Sequence, residues 1–207
     1  MKAELSRASH LAVIAATAGL LLGGGALWLG LQSDAIAFWG FGVAAFLQVA
    51  PTLSLRGRIR NGLGNTGLER DRLTLRIVSH LLRLLALALA MAAISALLGG
   101  RAPQPTLLML GFSALAVGVL TPLWLAKRGL AGIHPALDLD AARARTLLEL
   151  AALMLVGSLA GHCLPLADAI TSLLLALRLF FEGRTLAKGT TLAAAACGGS
   201  GSGCGCG

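Results

Sequence analysis

Pro135-Ala-Leu-Asp138-Leu-Asp140-Ala-Ala-Arg143-Ala-Arg145-Thr146 leads into an apolar run that stops at Gly161-His162-Cys163-Leu164-Pro165. Leu166-Ala167-Asp168 then opens a second apolar run, which closes on Glu182-Gly183-Arg184. The link between the runs is short, so they are expected to fold back as a tight helical hairpin. Each run is entered or left through carboxylates. In a chain this apolar, that pattern points to an ion path through a bilayer.

Hydrophobic residues make up 57% of the 207-residue chain and charged residues 13%, against about a quarter charged in typical soluble proteins. Mean hydropathy is +0.82. The apolar residues fall into blocks of about 20, the length needed to cross a hydrocarbon core of about 30 Å. An integral membrane bundle follows, and no large soluble domain has room to fit. The net charge of +8 would point to nucleic acid in a soluble protein. Here arginines gathered on one side of a membrane account for it, so the partner is the lipid bilayer and nucleic acid is not expected. The first apolar run, residues 11–31, is too long for a signal-peptide core and lacks a small-residue cleavage site. An uncleaved span is the expectation.

Six spans can be drawn, at about residues 10–31, 35–55, 75–98, 106–125, 141–161 and 166–181. Each ends at charges, Gly or Pro. The expected fold is all-α, a polytopic six-transmembrane-helix bundle over residues 1–188. A flexible Gly/Ser/Cys-rich tail follows over 189–207. The basic residues alternate between connections. Lys2, Arg7, Arg56, Arg58, Arg60, Arg70, Arg72, Arg76, Lys127, Arg128, Arg143, Arg145, Arg184 and Lys188 share one side, and Arg101 stands on the other. Fourteen against one places both termini in the cytoplasm, with a bacterial inner membrane as the expected location.

Small residues mark helix contacts. Gly19 with Gly23, and Gly157 with Gly161, have the G-x-x-x-G spacing that lets two backbones approach in lipid. Packing within the chain is the simpler reading, and a homodimer seam is the alternative. Gly40 and Gly42 thin the second span, and Pro51 and Pro122 are expected to kink theirs.

Charges within spans need individual accounts. Arg83 and Arg178 lie within about two turns of cytoplasmic helix ends, so both are expected to snorkel. Glu149 lies about 12 Å into the fifth helix at 1.5 Å per residue and must face the bundle or a wet cavity. Arg145, one turn earlier, is placed to neutralise it. A structural ion pair and a role in transport are both open. Asp138 and Asp140 precede that helix, with Asp140 its expected cap and Asp168 the expected cap of the sixth. His80 shares a face with Arg83 and would meet Glu149 if the third and fifth helices touch. His10, His134 and His162 read as surface residues near helix ends.

Cys163 is expected outside, with Cys197, Cys204 and Cys206 inside, so no disulfide framework forms. Cys204-Gly205-Cys206 with Cys197 could supply three thiolates to Zn(II) or Cu(I), at the entropic expense of ordering an unanchored tail. The chain contains no nucleophile–base pair, phosphate loop or closed ligand set. It is not expected to be an enzyme or to hold a resident cofactor.

These residues resemble the transmembrane domain of the cation diffusion facilitator (cation efflux) family, in the short form without a cytoplasmic C-terminal domain. Pro122-Leu-Trp-Leu-Ala-Lys127-Arg128 resembles the family's basic end of the fourth helix. Ala136-Leu-Asp-Leu-Asp140-Ala141 resembles its Ala-Leu-x-x-Asp-Ala opening of the fifth. Leu166-Ala167-Asp168 resembles its Trp-Ala-Asp-Pro opening of the sixth, and Glu182-Gly183 begins fourteen residues beyond Asp168, at the family's spacing. The family's metal site uses a polar or acidic pair four apart on the second helix and another on the fifth. Those positions fall here on Gly42 and Phe46, and on Ala136 and Asp140, with Arg143 at a usually polar position.

The resemblance therefore implies proton-coupled efflux of a divalent or heavy-metal cation, zinc among them, through a degenerate metal site. Asp140 would be the surviving ligand, Glu149 a substitute, and Cys204 and Cys206 capture ligands. The alternative is a non-transporting membrane scaffold or regulatory protein on the same fold. Asp140, Glu149 and His80 meeting around a cavity would favour transport, and an apolar interior centred on Phe46 would favour the scaffold.

Overall fold

The computed structural model describes residues 2–60, 68–100, 106–132 and 135–198. Six helices carry them: α1 (Lys2–Ser33), α2 (Ile36–Arg60), α3 (Leu68–Gly99), α4 (Leu107–Arg128), α5 (Pro135–Ala160) and α6 (Ala167–Gly198). There is no strand among the described residues. Pro51 and Pro122 lie inside α2 and α4, which continue through them. α6 runs through Lys188 to Gly198, beyond the expected start of the tail at residue 189. The chain reverses between α1 and α2 at Asp34, which adopts φ 52°, a left-handed conformation that a short polar side chain tolerates.

α2 is the centre of the bundle. It packs against α1, α3, α5 and α6, while α4 closes the structure against α5 and α1. α3 packs on α6 and α2 and makes no contact with α5 among the described residues. Phe38, Phe41, Leu82, Leu89, Leu150 and Leu179 are among the large side chains fully removed from solvent. Successive helices run in opposite directions, so the charged segments collect at one end. There Ala8, Leu55, Ile59 and Leu137 form a small apolar cluster of their own. This is the basic end of the bundle.

Two glycines let α1 and α2 cross closely. A Cβ on Gly42 would stand 2.8 Å from the Gly23 carbonyl oxygen and 2.6 Å from Leu27 Cγ. Gly23 is therefore used inside the chain, against α2, and Gly157 likewise faces Thr171 on α6. Gly183 meets the Ser79 carbonyl of α3 in the same manner, and Ser79 Oγ donates to the Gly183 carbonyl at 2.8 Å.

Four helices are long and apolar enough to cross a membrane, over Ser6–Ser33, Ile36–Gly57, Arg72–Gly99 and Leu107–Arg128. Their outer faces carry exposed Leu21, Trp28, Leu84, Met91, Leu98 and Leu107, as a surface bathed in lipid tails requires. α5 and α6 do not meet that measure among the described residues. α5 carries Asp138, Asp140, Arg143, Arg145 and Glu149, and α6 carries Asp168, Arg178, Glu182, Arg184 and Lys188. The protein is thus an all-helical membrane bundle with four clearly apolar spans and a charged hairpin packed among them.

Candidate functional site

Asp140, Arg143 and Glu182 of that hairpin are buried and Glu149 and Arg178 half-buried, whereas Asp138, Arg145 and Arg184 are exposed. The inward ones form a polar seam at the basic end, built from α2, α4, α5 and α6. α4 stops at Gly129, whose N–H bonds to the Leu125 carbonyl. In its last turn Arg128 turns out and stands over the Trp124 ring at 5.4 Å, while Lys127 turns in. Lys127 Nζ lies 2.7 Å from Asp140 Oδ2, and both side chains are buried. Asp140 Oδ1 is also buried and has no hydrogen-bond partner. Asp140 is therefore not the cap of α5, because α5 begins at Pro135 and Asp140 sits in its second turn. Asp138 serves that end instead, accepting the Gly132 N–H at 2.6 Å.

Arg143, almost one turn further on, is buried beside the pair. With Gln48 and Thr52 of α2 it lines a cavity of about 30 Å³ that Lys127 and Asp140 also border, space for about one water. Gln48 Nε2 donates toward the carboxylate of Glu182 at 3.4 and 3.5 Å. Glu182 is buried too, with Arg178 and Arg143 as its attractive charged neighbours and Glu149 as its repulsive one. Glu149 is held from two sides. Arg145 Nε donates to Oε1 at 2.8 Å, and Arg178 Nε donates to Oε2 at 2.6 Å. Arg178 Nη2 also donates to Thr146 Oγ1 at 3.1 Å.

Three carboxylates thus stand among four basic groups along one seam. An unpaired charge in a low-dielectric interior costs several kcal/mol, and close pairing offsets that cost. Neutralisation explains how so many charges sit inside an apolar bundle.

The expected site residues divide clearly. Asp140 and Glu149 both belong to the seam, each with its own cationic partner. His80 is exposed on α3, and with no α3–α5 contact the expected His80–Glu149 meeting does not occur. Phe46 is 37% exposed, so the interior is not centred on it. Gly42 is buried where α2 crosses α1. Arg83 and Arg178 are anchored rather than snorkelling: Arg178 on Glu149, and Arg83 through Nη2 on the Gly183 carbonyl at 3.3 Å. Asp168 does not cap α6. Its carboxylate accepts the N–H groups of Ile36 at 3.0 Å and Ala37 at 3.3 Å, capping α2 from another helix. Cys163 is exposed and free. His134, Cys204 and Cys206 lie outside the described residues. Among the described residues, no three His, Cys, Asp or Glu side chains gather as a metal-ligand group.

Sequence reasoning missed Gln48, Lys127, Arg143 and Glu182 as members of one site. Gln48 carried a signal, being the one amide within the second apolar run. Lys127 and Arg143 were absorbed into the count of basic residues on one side, and nothing in their spacing says that they turn inward.

No known family profile matches the chain, and no curated protein is similar to it in sequence.

Proposed function

We propose that the chain is a six-helix cation transporter of the cation-efflux kind, in which Asp140 is the exchangeable carboxylate and Lys127 its resting counter-ion. α5 and α6 complete the spans in this reading, because Asp140, Glu149, Arg178 and Glu182 are paired within the seam rather than offered to lipid. The basic end faces the cytoplasm of a bacterial inner membrane, with both termini on that side. The observation that carries the reading is the buried 2.7 Å Lys127–Asp140 pair. Its second carboxylate oxygen is unpartnered, and the pair borders a polar cavity.

A carboxylate held by one ammonium can exchange it for a metal cation when the released Lys127 ammonium reaches solvent at the basic end or gives up its proton. The cation arrives as the cargo, and Asp140 Oδ1 with the oxygens of Gln48 and Thr52 would receive it. Lys127 must then withdraw, since a divalent ion and an ammonium on one carboxylate repel each other. Arg143 adds to that repulsion, so release is favoured over tight retention, as efflux needs.

A second reading has its own support. Each seam carboxylate already has a cationic or amide neighbour, and no three-ligand metal group gathers among the described residues. A non-transporting scaffold or regulatory protein would have such a closed interior. Flux of zinc, cadmium, cobalt, nickel and copper into proteoliposomes of the purified chain separates the two. Transport predicts flux above empty liposomes that is lost in Asp140→Asn and altered in Lys127→Met. Flux equal to empty liposomes for every metal overturns it in favour of the scaffold.

A further inference from the structure

Between α3 and α6 the outer face of the bundle carries a groove of about 420 Å³, walled by Ala86, Leu87, Ala90, Leu173, Leu177 and Phe180. Leu87, Leu173, Leu177 and Phe180 are exposed on it. From Leu173 to Phe180 it covers about 10 Å of helix. Helical spacing carries this apolar stripe into charge at the basic end. On α6 the stripe Leu173, Leu177, Phe180 continues at the next turn to Arg184. On α3 Ala90 and Leu87 continue to Arg83 and Arg76. The Arg83 bond to the Gly183 carbonyl holds the two basic ends side by side. Arg76 and Arg184 are exposed, and Arg83 Nε is buried without a hydrogen-bond partner.

We propose that this groove is a binding site for an anionic phospholipid, one acyl chain lying between α3 and α6 and the phosphate resting on Arg76, Arg83 and Arg184. The groove is apolar where lipid tails run, and its charge lies at one end, where a headgroup sits. Arg83 and Arg184 stand at that end, with Arg76 about two turns beyond Arg83 on α3, and Arg is the side chain whose planar donors match phosphate oxygens. A second copy is a poor occupant. Two-fold pairing of this face about an axis normal to the membrane would set the arginines of one copy against those of the other. A zwitterionic lipid fills the groove equally well but leaves the net positive charge uncompensated.

Native mass spectrometry of the purified full-length chain, released from detergent with equimolar phosphatidylglycerol and phosphatidylcholine of identical acyl chains, tests the site. Preferential retention of phosphatidylglycerol is expected. Arg76→Gln and Arg184→Gln each lower that retention about fivefold, the effect of removing one basic residue near an anionic headgroup. Ala90→Phe, which fills the groove, lowers it as well. Equal retention of the two lipids by the unaltered chain overturns the proposal, as does undiminished phosphatidylglycerol in the double arginine variant. Loss in the arginine variants with full retention in a folded Ala90→Phe protein also overturns it, since binding would then be a surface charge effect without the groove. If Ala90→Phe fails to fold, Leu177→Trp on the exposed wall of the groove takes its place.

Discussion

Lys127 and Asp140 meet inside the bundle, Nζ to Oδ2 at 2.7 Å, with both side chains almost wholly buried. One comes from the last turn of α4 and the other from the second turn of α5. The pair locks the fourth and fifth helices at the basic end and sets the charge of the seam that follows. Removing one partner alone leaves the other as an uncompensated buried charge. Lys127→Met is therefore expected to destabilise the protein by about 3–5 kcal/mol. The double variant Lys127→Met with Asp140→Leu recovers most of that loss. Denaturant unfolding in detergent micelles measures both, and equal stability of the single and double variants would contradict the pairing.

Glu149 permits a comparison within one carboxylate. Arg145 is 67% exposed and sits four residues away on the same helix, whereas Arg178 is 35% exposed and reaches across from α6. Arg145→Gln should cost about 0.3–0.5 kcal/mol, the value of an exposed i,i+4 pair. Arg178→Gln removes the tie between α5 and α6 and a bond to Thr146, so it should cost at least 1 kcal/mol more, by the usual worth of charged hydrogen bonds. The order of the two losses in the same unfolding assay is the check, and a reversed order would show that the exposed pair dominates.

Asp168 caps a helix that is not its own. Asp168→Ala strands the Ile36 and Ala37 N–H groups and is expected to lower stability by about 1–2 kcal/mol. Asp168→Asn retains an acceptor and loses less. Amide hydrogen exchange at residues 36 and 37 should accelerate in the alanine variant while exchange in the middle of α2 stays slow. Unchanged exchange at those amides would mean that the carboxylate does not hold the helix start.

Glycine positions divide by what surrounds them. At Gly42 even a methyl group would meet backbone and Leu27 at under 3 Å, so Gly42→Ala must push α1 and α2 apart. A loss on the order of 1–3 kcal/mol is expected, as for overpacking of a close-packed site. At Gly111 and Gly118 no atom lies within 4 Å of an added Cβ. Alanine there is expected to be neutral, or to stabilise by up to about 1 kcal/mol through helix propensity. Thermal melting of the three single variants side by side tests the contrast.

Much of the architecture was legible in the chain. The length of the apolar runs, the glycine and proline stops and the one-sided arginines led to six spanning helices, and six helices are present among the described residues. Four of them are apolar enough to span. The remaining pair was harder to read because its charges resemble helix caps and snorkelling residues when seen one at a time. Asp140 looks like a cap when the helix is drawn from residue 141. It becomes an interior ion once α5 is seen to start at Pro135. Asp168 looks like the cap of α6, because local spacing cannot show that the start of α2 lies within its reach. The Glu149–Arg145 pair was legible, being four apart on one helix. The Glu149–Arg178 bond was not, since it joins residues on different helices.

The sequence by itself determined the membrane character, the helix count and the gathering of positive charge at one end. These follow from composition and from spacings of one to four residues, which act through local geometry and through partition into lipid. Only the tertiary structure decided which charges face one another. Lys127 with Asp140, Gln48 with Glu182, and Arg178 with Glu149 each join different helices. Their pairing depends on how each helix is rotated about its axis, and rotation is set by glycine contacts such as Gly23 on Gly42 and by the filling of the core around Phe38 and Phe41.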